Sequence, residues 1–259
     1  MNIKAVVKVM NFHALLRVEA SRKQAERYQT MESELENMMR IVMNNRNLRL
    51  DKRIALPDPN QPVLRIYMGS DYGFCGSVNS SVSNVLARDG DASKIVVGKK
   101  LRRPKHVELF LTQEEYFSDL SRVRKYLEQA VRERKWSAVE LVYNHFYNLS
   151  SVKQITKRIY PLEEQPEDQE HQWDDFEVET DVVRLLEDMM VSYLTYELKI
   201  AAVSAYASEN IMRQNATTES LKKLDEREEE ELREARKLRT QKGFQKTIDS
   251  YIKQKSLKI

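Results

Sequence analysis

The sequence predicts an α/β protein of unusual proportions: long N- and C-terminal helices paired as an antiparallel coiled coil, flanking a small α/β domain. Three observations lead there. All six Pro fall between residues 57 and 166, and five of the six Gly between 69 and 98. Gly and Pro are the main interrupters of helix, so residues 1–56 and 167–242 read as unbroken helix-forming stretches. Each stretch carries an apolar stripe at steps of three and four, which places the stripe on one helical face. The middle instead alternates short strand-like runs with helical segments, the pattern of a layered α/β unit.

The N-terminal stripe runs through Ile3, Val7, Met10, Ala14, Val18, Ser21, Ala25, Tyr28, Met31, Leu35, Met38 and Val42, with Ser21 its only polar member. The C-terminal stripe runs through Val182, Leu186, Met189, Tyr193, Tyr196, Ile200, Val203, Ala207 and Ile211. Coiled-coil spacing held over so many turns asks for a long partner, and each stripe suits the other. At ~1.5 Å per residue the C-terminal helix reaches roughly 110 Å against roughly 65 Å for the N-terminal one. It is therefore expected to overhang as a rod, the alternative being an ordinary bundle folded back on itself. Between the helices, residues 63–68 read as a first strand, 81–88 as helix and 94–97 as a second strand. Thr112 and Glu115 have the spacing of a capping box, opening a helix expected to run to about residue 135. Residues 139–143 read as a third strand and 152–160 as a fourth, with parallel pairings. Residues 163–175, acidic and proline-marked, read as a loop. The expected division is 1–55 for the first helix, 60–165 for the α/β domain and 176–259 for the second helix.

Composition narrows the function classes. The chain has 43 Lys+Arg against 40 Asp+Glu, a balance of +3, too even for a nucleic-acid reader working through a basic face. One cysteine excludes an intrachain disulfide and a thiolate metal cluster, and the four His sit at no ligand spacing. No metal or cofactor is expected. No run approaches the roughly 20 apolar residues of a membrane span, and the N-terminus lacks a signal core. A soluble protein of a reducing compartment is the expectation.

The segment with most chemical character is Ser70-Asp71-Tyr72-Gly73-Phe74-Cys75-Gly76-Ser77-Val78-Asn79. It follows a strand and precedes a helix, where α/β folds bind ligands. Yet it lacks the first Gly of a dinucleotide fingerprint and the Gly-Lys-Ser/Thr ending of a P-loop. Cys75 has no His or Lys within ten residues to raise its thiolate fraction. It is expected as a small buried thiol in a tight turn, with Gly73 and Gly76 where the backbone needs positive φ. Residues 225–239 hold seven acidic and five basic residues, the pattern of a solvated helix face. Nothing assembles a nucleophile, base and oxyanion donor, so no enzyme is expected.

Four segments, in order, resemble the gamma subunit (central stalk) family of F-type ATP synthases. Phe12 to Lys23 is similar to that family's N-terminal I-T-K-A-M-K-M-V-A-A-A-K helix. Ser70 to Asn79 resembles its S-D-R-G-L-C-G-x-x-N signature, the most specific of the four. Val142-Tyr143-Asn144-His145-Phe146 with Tyr160-Pro161-Leu162 resembles Y-N-K-F…L-P-L. Ala207-Ser208-Glu209-Asn210-Ile211-Met212-Arg213 resembles A-S-E-x-x-x-R, and the register continues without a gap to Arg239 at the family's R-Q-A-x-I-T segment. The resemblance covers almost the whole chain. It marks Lys23, Ser70, Asp71, Gly73, Cys75, Gly76, Asn79, Ser208, Glu209, Arg213 and Arg239 as interaction positions.

The resemblance implies a Rossmann-like middle domain and a non-catalytic rotor. Its coiled coil would insert into a hexameric ring of nucleotide-binding (alpha/beta-type) subunits. The foot would meet a small accessory (epsilon-type) subunit and a membrane rotor ring, at the cytoplasmic face of a membrane. The sequence departs from the family pattern at Tyr72, Phe74, Ser77 and Glu19, and after Arg239 it reads Thr240-Gln241-Lys242-Gly243-Phe244. This marks a divergent member, in a housekeeping synthase or a specialised rotary ATPase. The competing readings are a coiled-coil scaffold or export-type stalk component without a torque role, and a small-molecule enzyme on the α/β middle.

Overall fold

A computed structural model describes residues 3–44, 57–90, 92–104, 106–161 and 181–256. The two breaker-free stretches form α1 (Ile3–Asn44), of 42 residues, and α5 (Val182–Ser256), of 75 residues. Between them lie β1 (Val63–Met68), α2 (Val78–Arg88), β2 (Ser93–Val97), β3 (Leu109–Leu111), α3 (Gln113–Ser118), α4 (Ser121–Arg132), β4 (Ala138–Asn148) and β5 (Ser151–Tyr160). The expected acidic loop at 163–175 and Leu162 fall outside the described residues.

The strands form one sheet in the order β3-β2-β1-β4-β5. Pairings from β3 to β4 are parallel, and β4 with β5 is antiparallel. The expectation of parallel pairing fails at β5 for a geometric reason. Only Leu149 and Ser150 separate β4 from β5, whereas a parallel return needs a crossover of a dozen or more residues. The helix expected from the capping box also divides. Thr112 and Glu115 do cap α3 reciprocally, but Asp119 leaves the helix with extended backbone. Its carboxylate then accepts from the Ser121 backbone N–H (2.8 Å) and hydroxyl (2.9 Å), starting α4 afresh. The three-residue β3 carries too short a pattern to be read from the sequence.

Side chains alternate across the sheet and sort into two cores. Leu64, Ile66, Met68, Ile95, Val97, Val139, Leu141 and Tyr143 belong to the larger core, with residues of α4 and α5. Tyr67, Val96 and Val142 meet Val82 and Leu86 of α2 on the other face. The large core also takes in Met189, Tyr193, Leu194, Leu198, Ala201 and Ala205 of α5. The long helix is therefore packed onto the foot as well as onto α1.

The α1–α5 pairing is antiparallel in constant register. Lys4 bonds Asp225 and Glu228, Asn11 donates to Gln214 O, Thr217 and Thr218, and Glu32 faces Glu197. From Lys4 to Glu32 the α1 number rises by 28, and its partner falls by 28, from 225 to 197. The apolar stripe read from the sequence holds unbroken only to Tyr28. Beyond it Met31 (53% exposed) and Met38 (55%) turn outward, while Glu32, Leu35 and Met39 turn inward. Ile3, at the free end, is exposed too. Among the buried and half-buried positions, 7, 11, 14, 18, 21, 25, 28, 32, 35 and 39 form a series that alternates steps of four and three. That is a heptad seam, whose 3.5-residue period gives a left-handed supercoil. Asn11 and Glu32 escape a sequence reading of the stripe because they are polar.

Candidate functional site

Segment 70–79 leaves β1 and enters α2 as a turn held together by one amide. Asn79 accepts from the Ser70 backbone N–H (2.9 Å), and its Nδ2 donates to Ser70 Oγ (2.7 Å) and Cys75 Sγ (3.2 Å). Ser70 Oγ in turn donates to the Tyr72 carbonyl at 2.7 Å. Asp71 ties the turn to its neighbours, accepting on Oδ1 from the backbone N–H groups of Lys99 (2.8 Å) and Gln113 (3.1 Å). The segment is thus braced against the loop after β2 and the start of α3.

Two residues of the turn sit in the left-handed region, and only one is the expected glycine. Gly76 has φ 57°, and a Cβ there would lie 2.8 Å from Met212 Cε on α5. Phe74 is the other, at φ 59°. Gly73 is not in that region and has open space where a Cβ would stand. The expectation of positive φ at Gly73 is therefore corrected: the backbone reversal falls one residue later. A non-glycine residue in that conformation is uncommon, and here it holds Tyr72 and Phe74, 65% and 77% exposed, on the outside of the turn. Cys75 lies inside, where burial pushes its thiol up and away from the thiolate. That is the opposite of what a nucleophile needs.

The A-S-E-x-x-x-R-like stretch of α5 meets this turn. Gln113 Nε2 bridges them, donating to Gly69 O (3.0 Å) and Glu209 Oε2 (2.9 Å). Arg213 pairs with Glu209 Oε1 and donates to Asn210 Oδ1 (3.0 Å) and to the Gly73 carbonyl (3.4 Å). Ser208 Oγ donates to the Asn144 carbonyl of β4 at 2.9 Å. Asn144 Nδ2 continues to the Val78 carbonyl (2.9 Å), and Ser81 returns a bond to Asn144 Oδ1 (3.0 Å). Ser208, Glu209 and Asn210 are at most 1% exposed. Each of these charges and amides has a partner, the condition under which a buried polar network specifies one arrangement. The arrangement it specifies is the height and rotation of α5 over the sheet.

The protein-family model described as ATP synthase matches residues 1–245. The chain belongs to the ATP synthase gamma family. It is 27% identical over 168 residues to the ATP synthase gamma chain of Pasteurella multocida (strain Pm70), a match spanning 57% of this chain and 58% of that relative's length. Its fold is like that of a chain in the Tetrahymena thermophila mitochondrial ATP synthase central stalk/c-ring structure, at TM-score 0.60 and 18% identity. That likeness covers 83% of this chain and 99% of the other.

In this gamma-family chain, nine of the eleven marked positions converge: Ser70, Asp71, Gly73, Cys75, Gly76, Asn79, Ser208, Glu209 and Arg213. The two motifs, about 130 residues apart in sequence, are the two halves of one joint. Lys23 and Arg239 stand apart, exposed on α1 and on the free end of α5. Gln113 and Asn144 are members of the joint that sequence reading did not single out as site residues. Asn144 lies at the end of a run of buried positions in β4, and the signal that pointed to it was its place in the segment resembling Y-N-K-F.

Proposed function

We propose that the chain is the central rotor stalk of a rotary F-type or F-like ATPase, a non-catalytic coupler between a membrane ring and nucleotide-binding subunits. The observation that carries this is the contrast along α5. Residues 189–213 are locked to the foot by the polar joint and the large core, while residues 225–250 are exposed on every side. A helix clamped at one end and bare at the other is built to be gripped elsewhere. In this reading the bare end sits inside a hexamer of alpha/beta-type subunits. The foot meets an epsilon-type subunit and the membrane ring, with 1–55, 60–165 and 176–259 as stem, foot and rod. No helix among the described residues is long and apolar enough to cross a membrane, and in this reading attachment is peripheral, through partners. An asymmetric rod shifts its surroundings only by binding their conformers with different affinity. A torque-bearing joint must therefore hold one rotation of α5. The test is purification of the tagged chain from membranes. A stoichiometric hexamer of nucleotide-binding subunits, lost when residues 225–259 are deleted, is the expected result. A lone soluble oligomer overturns the reading.

A further inference from the structure

Among the described positions of the α1–α5 seam, Glu32 is the acidic one on α1, and the residue opposite it on α5 is also acidic. Glu197 is almost fully buried, and Glu32 faces it across the seam. The foot supplies a cation to the pair. Lys157 of β5 donates to both oxygens of Glu197, at 2.7 and 2.9 Å, and lies 4.0 Å from Glu32. Two carboxylates gathered on this one ammonium leave a surplus negative charge in a half-dry site, and a proton held between them removes it. We infer that Glu32 and Glu197 share a proton, held at the point where α1, α5 and β5 meet, whose loss loosens the grip of the stem on rod and foot.

The surroundings support retention of that proton. On α1, Glu36 adds a further negative charge one turn away, and Tyr28 packs under Lys199. On α5, Tyr193 donates to Glu197 Oε1 at 3.4 Å. On β4, Tyr143 and His145 face the same site, and His145 is held below its ordinary value by burial and then by Lys157. Burial and the neighbouring Glu197 carboxyl push Glu32 up to about 7, against the opposing pull of Lys157. A carboxyl raised on folding contributes stability that is complete below its unfolded value near 4.5. That contribution is lost as pH rises through the folded value. His145, lowered on folding, acts in the opposite sense, so the comparison must isolate Glu32.

The experiment compares the full chain with Glu32→Gln, which keeps the shape and the donated hydrogen but cannot ionise. Urea unfolding is followed from pH 5.5 to 8. The unfolding constant of the native chain, relative to the variant, is expected to rise by about tenfold or more across this range. A ratio that stays flat overturns the inference. Carboxyl ¹³C resonances of the unmutated chain, labelled at glutamate, give a second reading that needs no variant. One is expected to titrate near pH 7, and titration of every glutamate below about pH 5.5 overturns the inference equally.

Discussion

Two lengths of the same helix, residues 189–213 and 225–250 of α5, differ in almost every physical respect. The first is buried on nearly all sides, against α1 on one face and the sheet on another. Its buried polar residues Glu197, Ser204, Ser208, Glu209, Asn210 and Arg213 each have a named partner. Among the described residues the second meets α1 at its start, where Lys4 pairs with Asp225 and Glu228. It is written in charge runs whose ion pairs, such as Arg233 with Glu229 at 3.9 Å, lie along the helix surface. Helix propensity and such pairs sustain the second length; tertiary packing sustains the first. One continuous element can thus be structural core at one end and bare lever at the other, with the polar joint marking the transition.

The comparison breaks most visibly at a core leucine. Leu198→Asp places an unpaired carboxylate where the side chain is 1% exposed, at a cost of several kcal/mol. Urea unfolding monitored by circular dichroism should show the cooperative transition lost or shifted to very low denaturant. Leu238→Asp, on the bare length, should leave it unmoved. A similar loss from both substitutions would show that the free end is packed after all.

Arg213→Ala comes next. It strands Glu209 without its cation, and breaking a buried pair costs about 3–5 kcal/mol. Adding Glu209→Ala should recover part of that, because the stranded charge goes too. Arg233→Ala, in an exposed pair, should have no measurable effect. A joint that tolerates Arg213→Ala alone would not be the element that fixes α5 on the foot.

The turn gives a smaller and sharper contrast. Gly76→Val meets both the left-handed backbone and Met212, and should cost about 1–3 kcal/mol. Gly73→Val, with open space and ordinary backbone, should cost under about 1 kcal/mol. The same unfolding curves decide it, and a reversed order would move the backbone reversal back to Gly73. Smallest of all, Glu230→Gln should change the stability of the isolated chain within about 0.5 kcal/mol. Any larger consequence should appear only in the assembled complex, as weaker co-purification of the ring.

Much of the frame was legible without coordinates. The absence of Gly and Pro foretold α1 and α5, the short strand-like runs foretold β1, β2, β4 and β5, and Thr112 with Glu115 foretold the start of α3. The site was legible only as two separate motifs. Nothing local in Ser70–Asn79 says that Asn79 clamps Ser70, or that Gln113 reaches from Gly69 to Glu209. The last of those bonds joins residues 96 apart along the chain.

What the sequence alone determined is therefore what repeats locally: helix where breakers are missing, strand where apolar residues cluster, one buried stripe per helix. The tertiary structure decided which polar residues joined the interior. Asn11 and Glu32 complete the heptad seam, and Leu194, Leu198, Ala201 and Ala205 give α5 a second buried face that a single stripe does not encode. The reason is physical. An apolar side chain gains from leaving water almost anywhere, so its pattern declares its burial. A polar one is buried only where a partner meets it, and the partner's position is a property of the folded chain.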